Sequence, residues 1–297
     1  MSFFFEVLVG GLLSGIMYSL VALGFVLIYK ASSVFNFAQG AMVFFAVLSF
    51  VGFMELGLNF WAALPVTIAL MVAVGVMTER FVLRPLVGQN EDTLLMATIG
   101  LAFIIEGVAQ LAWGVEVRRL DLGIRDEPMG WLADKADILV SQLDLVAGLV
   151  AGILVAVLAL VFSKTKVGRG LRAVADDNAA ALSIGIPLKQ ILVLVWATAG
   201  VVALVAGMLW GARSGVQFAL VGVALKALPV LIIGGFTSVP GVIVAGLIVG
   251  AAEKMAEVYL GPFVGGGIEG WLPYVLAVLF LLVRPEGLFG EKIIRRV

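Results

Sequence analysis

"VLVGGLLSGIMYSLVALGFVLIY" (Val7–Tyr29) decides the fold class. Its 23 residues carry no charged side chain. As a helix rising 1.5 Å per residue they reach ~35 Å, enough for the ~30 Å hydrocarbon core of a bilayer. The preceding MSFFFE holds no Lys or Arg. A cleaved secretory signal starts with a basic region, so this run is expected to stay in the protein as a membrane span.

Further apolar segments follow: Ala38–Phe53, Phe60–Thr78, Thr93–Trp113, Leu143–Phe162, Ile191–Gly211, Val221–Phe236, Gly241–Leu260 and Trp271–Val283. In lipid every backbone N–H and C=O must be satisfied internally, so helices are the default. The expectation is an all-α polytopic membrane protein with about eight or nine transmembrane helices. The second, seventh and last segments are short for a full crossing, and some of them are expected to be half-helices or re-entrant, although the parity of the loops requires Val221–Phe236 to cross. Composition agrees: 62% of the 297 residues are hydrophobic and 13% charged, against about 45–50% and about 25% in soluble domains.

Composition also removes functions. There is no Cys and no His, so disulfides, thiol chemistry and the commonest metal ligand and general base are absent. No metal or cofactor is expected. The net charge of −1 gives no nucleic-acid footprint. The phosphate-cradling pattern G-x-x-x-x-G-K-[ST] does not occur. ATP-driven work would need ATP bound by another polypeptide, so the chain is not expected to be an enzyme.

Lys and Arg in short loops set orientation. Five lie in Ser163–Gln190 (Lys164, Lys166, Arg169, Arg172, Lys189), and Arg284, Lys292, Arg295 and Arg296 lie in the tail. Arg80 and Arg84 lie in Glu79–Asp92. All three are expected in the cytoplasm, with the N-terminus outside. The Gly114–Ser141 loop, expected outside, opposes this with Arg118, Arg119, Arg125 and Lys135. No change of composition marks a second domain, so residues 1–297 are expected to form one transmembrane domain. Its external loop is about 114–141 and its main cytoplasmic loop about 163–190.

Four polar features interrupt the apolar pattern. The first is "GRGLRAVADDNAAALSIGIP" (Gly168–Pro187). Asp177 or Asn178 suits a helix N-cap. Ala179, Ala180, Ala181, Leu182 and Ile184 then make a small apolar patch, which Gly185 and Pro187 terminate. Arg169 and Arg172 share one face of a preceding helix, with Gly168, Gly170 and Asp176 around them. A solvated loop accounts for the charges but not for the apolar tip.

The second feature is Asn36, Gln39 and Gly40 at the start of the second segment. The third is Gly234, Gly235, Pro240 and Gly241 between the seventh and eighth. Both break helical logic and are candidate broken-helix or pathway positions; tight interfacial turns are the simpler explanation, and Ser238–Gly241 is expected to be a cytoplasmic hairpin. The fourth is Glu106, inside a span with Gln110 on the same face, which must be paired, protonated or near water. Lys226 and Glu253 are expected to form a structural ion pair. Glycines spaced four apart (Gly11/Gly15, Gly207/Gly211, Gly246/Gly250) are expected to serve close helix packing.

Three stretches together resemble one family: "SVFNFAQGA" (Ser33–Ala41), "GRGLRAVADDNAAALSIGI" (Gly168–Ile186) and "LVRPEGLFG" (Leu282–Gly290). "LLMATIGLAFIIEGVAQLAWG" (Leu94–Gly114) and "GGFTSVPGVIVAGLIVGAAE" (Gly234–Glu253) are similar as well. They look like the integral-membrane permeases of high-affinity branched-chain amino acid ABC importers. The resemblance implies an ABC importer permease fold in a bacterial inner membrane. It also implies a homologous second permease, two cytoplasmic ATPase subunits and a periplasmic amino-acid-binding protein, with membrane lipid around them and no nucleic acid. It makes Gly168–Pro187 the segment that couples to the ATPase. Permeases for urea or short amides resemble this family too, and a self-sufficient secondary transporter working through Glu106 is the other alternative.

Overall fold

The protein is described by a computed structural model covering residues 2–86, 88–130, 139–176, 181, 183, 185 and 188–290. Among the described residues ten α-helices dominate: α1 (Ser2–Ser32), α2 (Gln39–Glu55), α3 (Phe60–Met77), α4 (Glu91–Trp113) and α5 (Gln142–Lys164), then α6 (Lys166–Asp176), α7 (Leu188–Ser214), α8 (Val221–Gly234), α9 (Val239–Val264) and α10 (Leu272–Val283). Among the described residues there is no strand, only isolated bridges pairing Arg118 with Val216 and Pro128 with Ser141.

Among the described residues six helical stretches are long and apolar enough to cross a membrane: Ser2–Ser32, Phe60–Leu86, Asp92–Trp113, Gln142–Lys164, Lys189–Ser214 and Val239–Val264. The shorter apolar helices are α2, the stretch Phe218–Gly234 that contains α8, and α10. These are the second, seventh and last segments that the sequence marks as short. The polytopic all-helical architecture is therefore as expected.

The chain divides into two compact units. One comprises Leu23–Leu120 and Val157–Ala224; the other Met1–Ala22, Asp121–Ala156 and Leu225–Val297.

The first unit is built around α2, which is buried from Gln39 to Gly52. At 17 residues it is ~26 Å long. Its neighbours are α3, α4 and α7, which pack along its buried stretch. Gly207 of α7 sits against the Val43 carbonyl and Val47, which puts that glycine spacing to use in packing. On α4, Trp113 covers Gly52 and its indole N–H donates to Ser49 Oγ at 3.0 Å. Helix starts are capped by asparagines: Asn59 accepts from the Ala62 N–H at 2.8 Å and Asn90 from the Thr93 N–H at 3.0 Å. Beyond α3 the chain makes a π-helical turn, Thr78–Leu83, and a 3-10 turn, Arg84–Leu86. Arg84 donates to both oxygens of buried Glu79, at 3.0 and 2.6 Å.

In the second unit α1 lies directly on α9. A Cβ at Gly11 would stand 2.7 Å from the Gly250 carbonyl oxygen, and one at Gly15 would stand 2.9 Å from the Gly246 carbonyl carbon. Two glycine pairs noted in the sequence thus meet each other within one chain. Without side chains the backbones approach closely, which is how lipid-embedded helices gain packing contacts. The Ser19 hydroxyl beside them donates to the Gly15 carbonyl at 2.9 Å and lies 3.1 Å from that of Val242.

Candidate functional site

The start of the polar loop, where α5 meets α6, forms an elbow. Thr165 ends α5 and starts α6: its Oγ accepts from the Gly168 N–H at 3.3 Å and its hydroxyl donates to the Val161 carbonyl at 2.6 Å. Gly168 presses against the last turns of α5. A Cβ there would overlap the Phe162 carbonyl oxygen and lie 2.6 Å from Phe162 Cα. Arg172 reaches back from α6 and donates to the Phe162 carbonyl at 2.6 Å and the Ser163 carbonyl at 3.3 Å. These carbonyls belong to the end of a helix, where partners are missing and the macrodipole favours a cation. Arg172 is therefore spent on holding α6 to α5, whereas Arg169 is exposed on another part of α6.

Gly168→Ala is expected to pry this elbow open. Backbone atoms cannot yield to the new methyl, so α6 must swing and break the Arg172 contacts. The expected loss is about 1–3 kcal/mol of stability, read by thermal unfolding in detergent. An unchanged melting profile would show that the elbow is soft.

Gly168, Arg169, Gly170, Arg172 and Asp176 all lie in α6. Gly185 takes φ +82°, a left-handed backbone that glycine enters at little steric cost. Ala181 is 2% exposed. Asp177, Asn178, Ala179, Ala180, Leu182, Ile184, Ile186 and Pro187 lie outside the described residues, as do Lys135, Lys292, Arg295 and Arg296.

Asn36, Gln39 and Gly40 occupy the break between α1 and α2. Asn36 Oδ1 accepts from the Ala38 N–H at 3.1 Å, which orients its amide so that Nδ2 donates to Gln39 Oε1 at 3.2 Å. The Gln39 Nε2 group, against Gly24, has no hydrogen-bond partner among the described residues. Gly40 rests on the Val221 carbonyl. In this conformation Asn36 and Gln39 are enclosed by the chain's own atoms, at 1% and 0% exposure, rather than open to a path.

Gly234, Gly235, Pro240 and Gly241 form a tight turn between α8 and α9. Ser238 caps α9 by accepting from the Gly241 N–H at 3.0 Å, with Pro240 in the first turn. The segment after α10 closes over this turn: the Leu288 N–H donates to the Ile233 carbonyl at 2.7 Å, and Gly287 packs on Gly235. Two separate stretches of the sequence thus form one small structure, which no spacing within either stretch reveals.

Glu106 is half-buried on α4. Among the described residues no hydrogen bond or ion pair reaches it, Gln110 included. Lys226 and Glu253 do pair, Nζ to Oε1 at 3.4 Å. The Tyr18 hydroxyl donates to the same oxygen at 3.1 Å, while Oε2 lacks a hydrogen-bond partner among the described residues. The tyrosine contact was not legible in the sequence, because 235 positions separate the two residues.

Comparison with known proteins extends this geometry. Three curated relatives match almost end to end. The high-affinity branched-chain amino acid transport system permease protein BraD of Pseudomonas aeruginosa is 26% identical over 99% of this chain and 98% of its own. LivH of Escherichia coli K12, a permease protein of the same description, is 25% identical with the same coverage. A probable branched-chain amino acid transport permease protein, LivH of Methanocaldococcus jannaschii, is 25% identical over 96% of this chain and 92% of its own. Among solved structures, PsaBC from Streptococcus pneumoniae in complex with Fab aligns over 94% of this chain and 90% of that one. Its TM-score is 0.50 and its identity 15%, a likeness of fold. The profile of the family described as "Branched-chain amino acid transport system / permease component" matches residues 7–283. With its apolar helices and the profile spanning nearly all of them, the chain belongs to this family of multi-pass transport permeases.

Proposed function

We propose that the chain is the permease subunit of an ATP-binding-cassette importer for branched-chain amino acids. Residues 1–297 act as one transmembrane domain, forming part of the path for substrate delivered by a periplasmic binding protein. A homologous second permease completes the path, and two cytoplasmic ATPase subunits supply the energy. The observation that carries this reading is the end-to-end match to permeases named for branched-chain amino acid transport.

Coupling is assigned to Gly168–Pro187. What supports it is the elbow. With Arg172, Gly168 and Thr165 tying α6 to the end of α5, a force on this segment moves a membrane helix instead of dissipating in a loose loop.

The test is a complex reconstituted with its ATPase and binding protein. Ala180→Arg places a long cation where the patch would meet the ATPase. Stimulated ATP hydrolysis and leucine uptake are expected to fall about ten-fold or more, as for the loss of at least ~1.4 kcal/mol of contact. Permease yield should stay unchanged. Full stimulated activity in an assembled Ala180→Arg complex would sink the coupling assignment. Leucine uptake by the lone chain, lost in Glu106→Gln, would instead favour a secondary transporter.

A further inference from the structure

Beside the elbow, α6 and the start of α7 enclose a groove of about 680 Å³. Its α6 wall is Lys166, Arg169 and Ala173, spaced to share one helix face; its α7 wall is Ile191 and Leu194. A second groove of about 410 Å³ shares Gln190 and Leu194 with the first. It runs from Lys189 past Val193 to Ala197, with Val72 of α3 opposite. Lys189, Val193 and Ala197 are four residues apart, so they form one stripe ~12 Å long, leading from the polar end of α7 toward its apolar middle.

Charge and apolarity are separated along this path. Lys166 and Arg169 stand on the α6 wall of the first groove, and Lys189 stands at the polar end of α7 in the adjoining one. Among the described residues no carboxylate lines either groove, and no ion pair or side-chain hydrogen bond engages these three cations. Arg84, at the rim of the second groove, is already held by Glu79. Below the cations the lining is Val193, Ala197 and Val72. A water-soluble acidic peptide would use the cations but not this apolar continuation. A headgroup with an attached acyl chain uses both.

We propose that these joined grooves bind one anionic phospholipid. Its phosphate lies among Lys166, Arg169 and Lys189, and an acyl chain follows Val193 and Ala197 against Val72. Clustered basic side chains at a membrane boundary recognise anionic headgroups in this way. The site is independent of which solute the permease carries.

The experiment is native mass spectrometry of the full chain in nonionic detergent, with phosphatidylglycerol and phosphatidylcholine of identical acyl chains. Phosphatidylglycerol is expected to bind with a preference of about ten-fold or more, consistent with three clustered cations. Lys166→Gln, Arg169→Gln and Lys189→Gln combined should erase the preference. Ala197→Trp fills the apolar groove without touching a charge and should weaken binding of phosphatidylglycerol. Soluble glycerophosphoglycerol should not compete, which separates a lipid from a free phosphate ester. Equal binding of both lipids, or retention of the preference in the triple variant, overturns the proposal. So does displacement of the lipid when the ATPase is added, because the cations would then belong to the protein interface.

Discussion

Gly15→Leu is expected to remove the folded permease from the membrane. Gly15 of α1 faces Gly246 of α9 with nothing but backbone between them, and Gly11 faces Gly250 in the same way. A side chain at Gly15 meets the Gly246 carbonyl and the Leu247 Cα, and neither is a rotamer that can turn aside. Overpacking typically costs about 1–3 kcal/mol when side chains can adjust. Here whole helices must part, so the cost lies at or above the top of that range. In lipid there is no hydrophobic force to hold separated helices together, so close packing carries the association. The measurement is the yield of monodisperse protein after detergent extraction, with thermal unfolding of what remains. Gly10→Leu is the control: five residues earlier on the same helix, a Cβ there meets nothing within 4 Å. It should leave yield and melting nearly unchanged. Equal tolerance of both substitutions would show that α1 and α9 are not in backbone contact.

The second large effect concerns the Tyr18–Glu253–Lys226 cluster. Lys226→Met should destabilise the protein by about 3–5 kcal/mol, the usual cost of leaving a buried charge without its partner. Glu253 is 3% exposed, so water cannot replace the ammonium. Glu253→Gln should cost less. The amide still accepts from Tyr18, and Lys226, with 31% of its side chain exposed, can turn toward solvent. The double variant should be more stable than Lys226→Met alone, because no uncompensated charge remains. Tyr18→Phe should cost about 1 kcal/mol, one buried hydrogen bond. Denaturant titration of the four variants gives the coupling directly. If the effects of Lys226→Met and Glu253→Gln simply add, the 3.4 Å contact contributes no pairing energy.

Much of the site was legible before the fold was known, but as residue types and not as contacts. The run from Gly168 to Pro187 stands out by charge alone in an apolar chain. Nothing in it says that Arg172 turns back to cap α5 while Arg169 stays exposed. That choice depends on the angle between two helices, which Gly168 and Thr165 set together. Likewise, Asn36 and Gln39 look like candidates for a polar path because both are amides at a helix break. In the structure the Asn36 amide is used on Ala38 and Gln39, while the buried Gln39 amide accepts from Asn36 through its oxygen alone. Lys226 and Glu253 were readable as a pair because an isolated charge in a span needs a partner. The Tyr18 hydroxyl carries no such requirement that sequence can show.

The pattern of apolar runs was enough to establish a polytopic helical membrane protein, and to mark α2, α8 and α10 as short. The reason is local: a backbone in hydrocarbon must satisfy its own hydrogen bonds within the segment, so span and length are properties of each run by itself. Which runs meet protein and which meet lipid is not local. α2 and α3 are both apolar around their whole circumference. Yet α2 is buried from Gln39 to Gly52, whereas only Ala63, Thr67, Met71 and Gly75 are buried on α3. Lipid tails and core side chains are equally apolar, so neither surroundings leaves a stripe in the sequence. Glycine spacing shows that a helix offers a close approach, but the identity of its partner is settled only when Gly11 and Gly15 lie on Gly250 and Gly246.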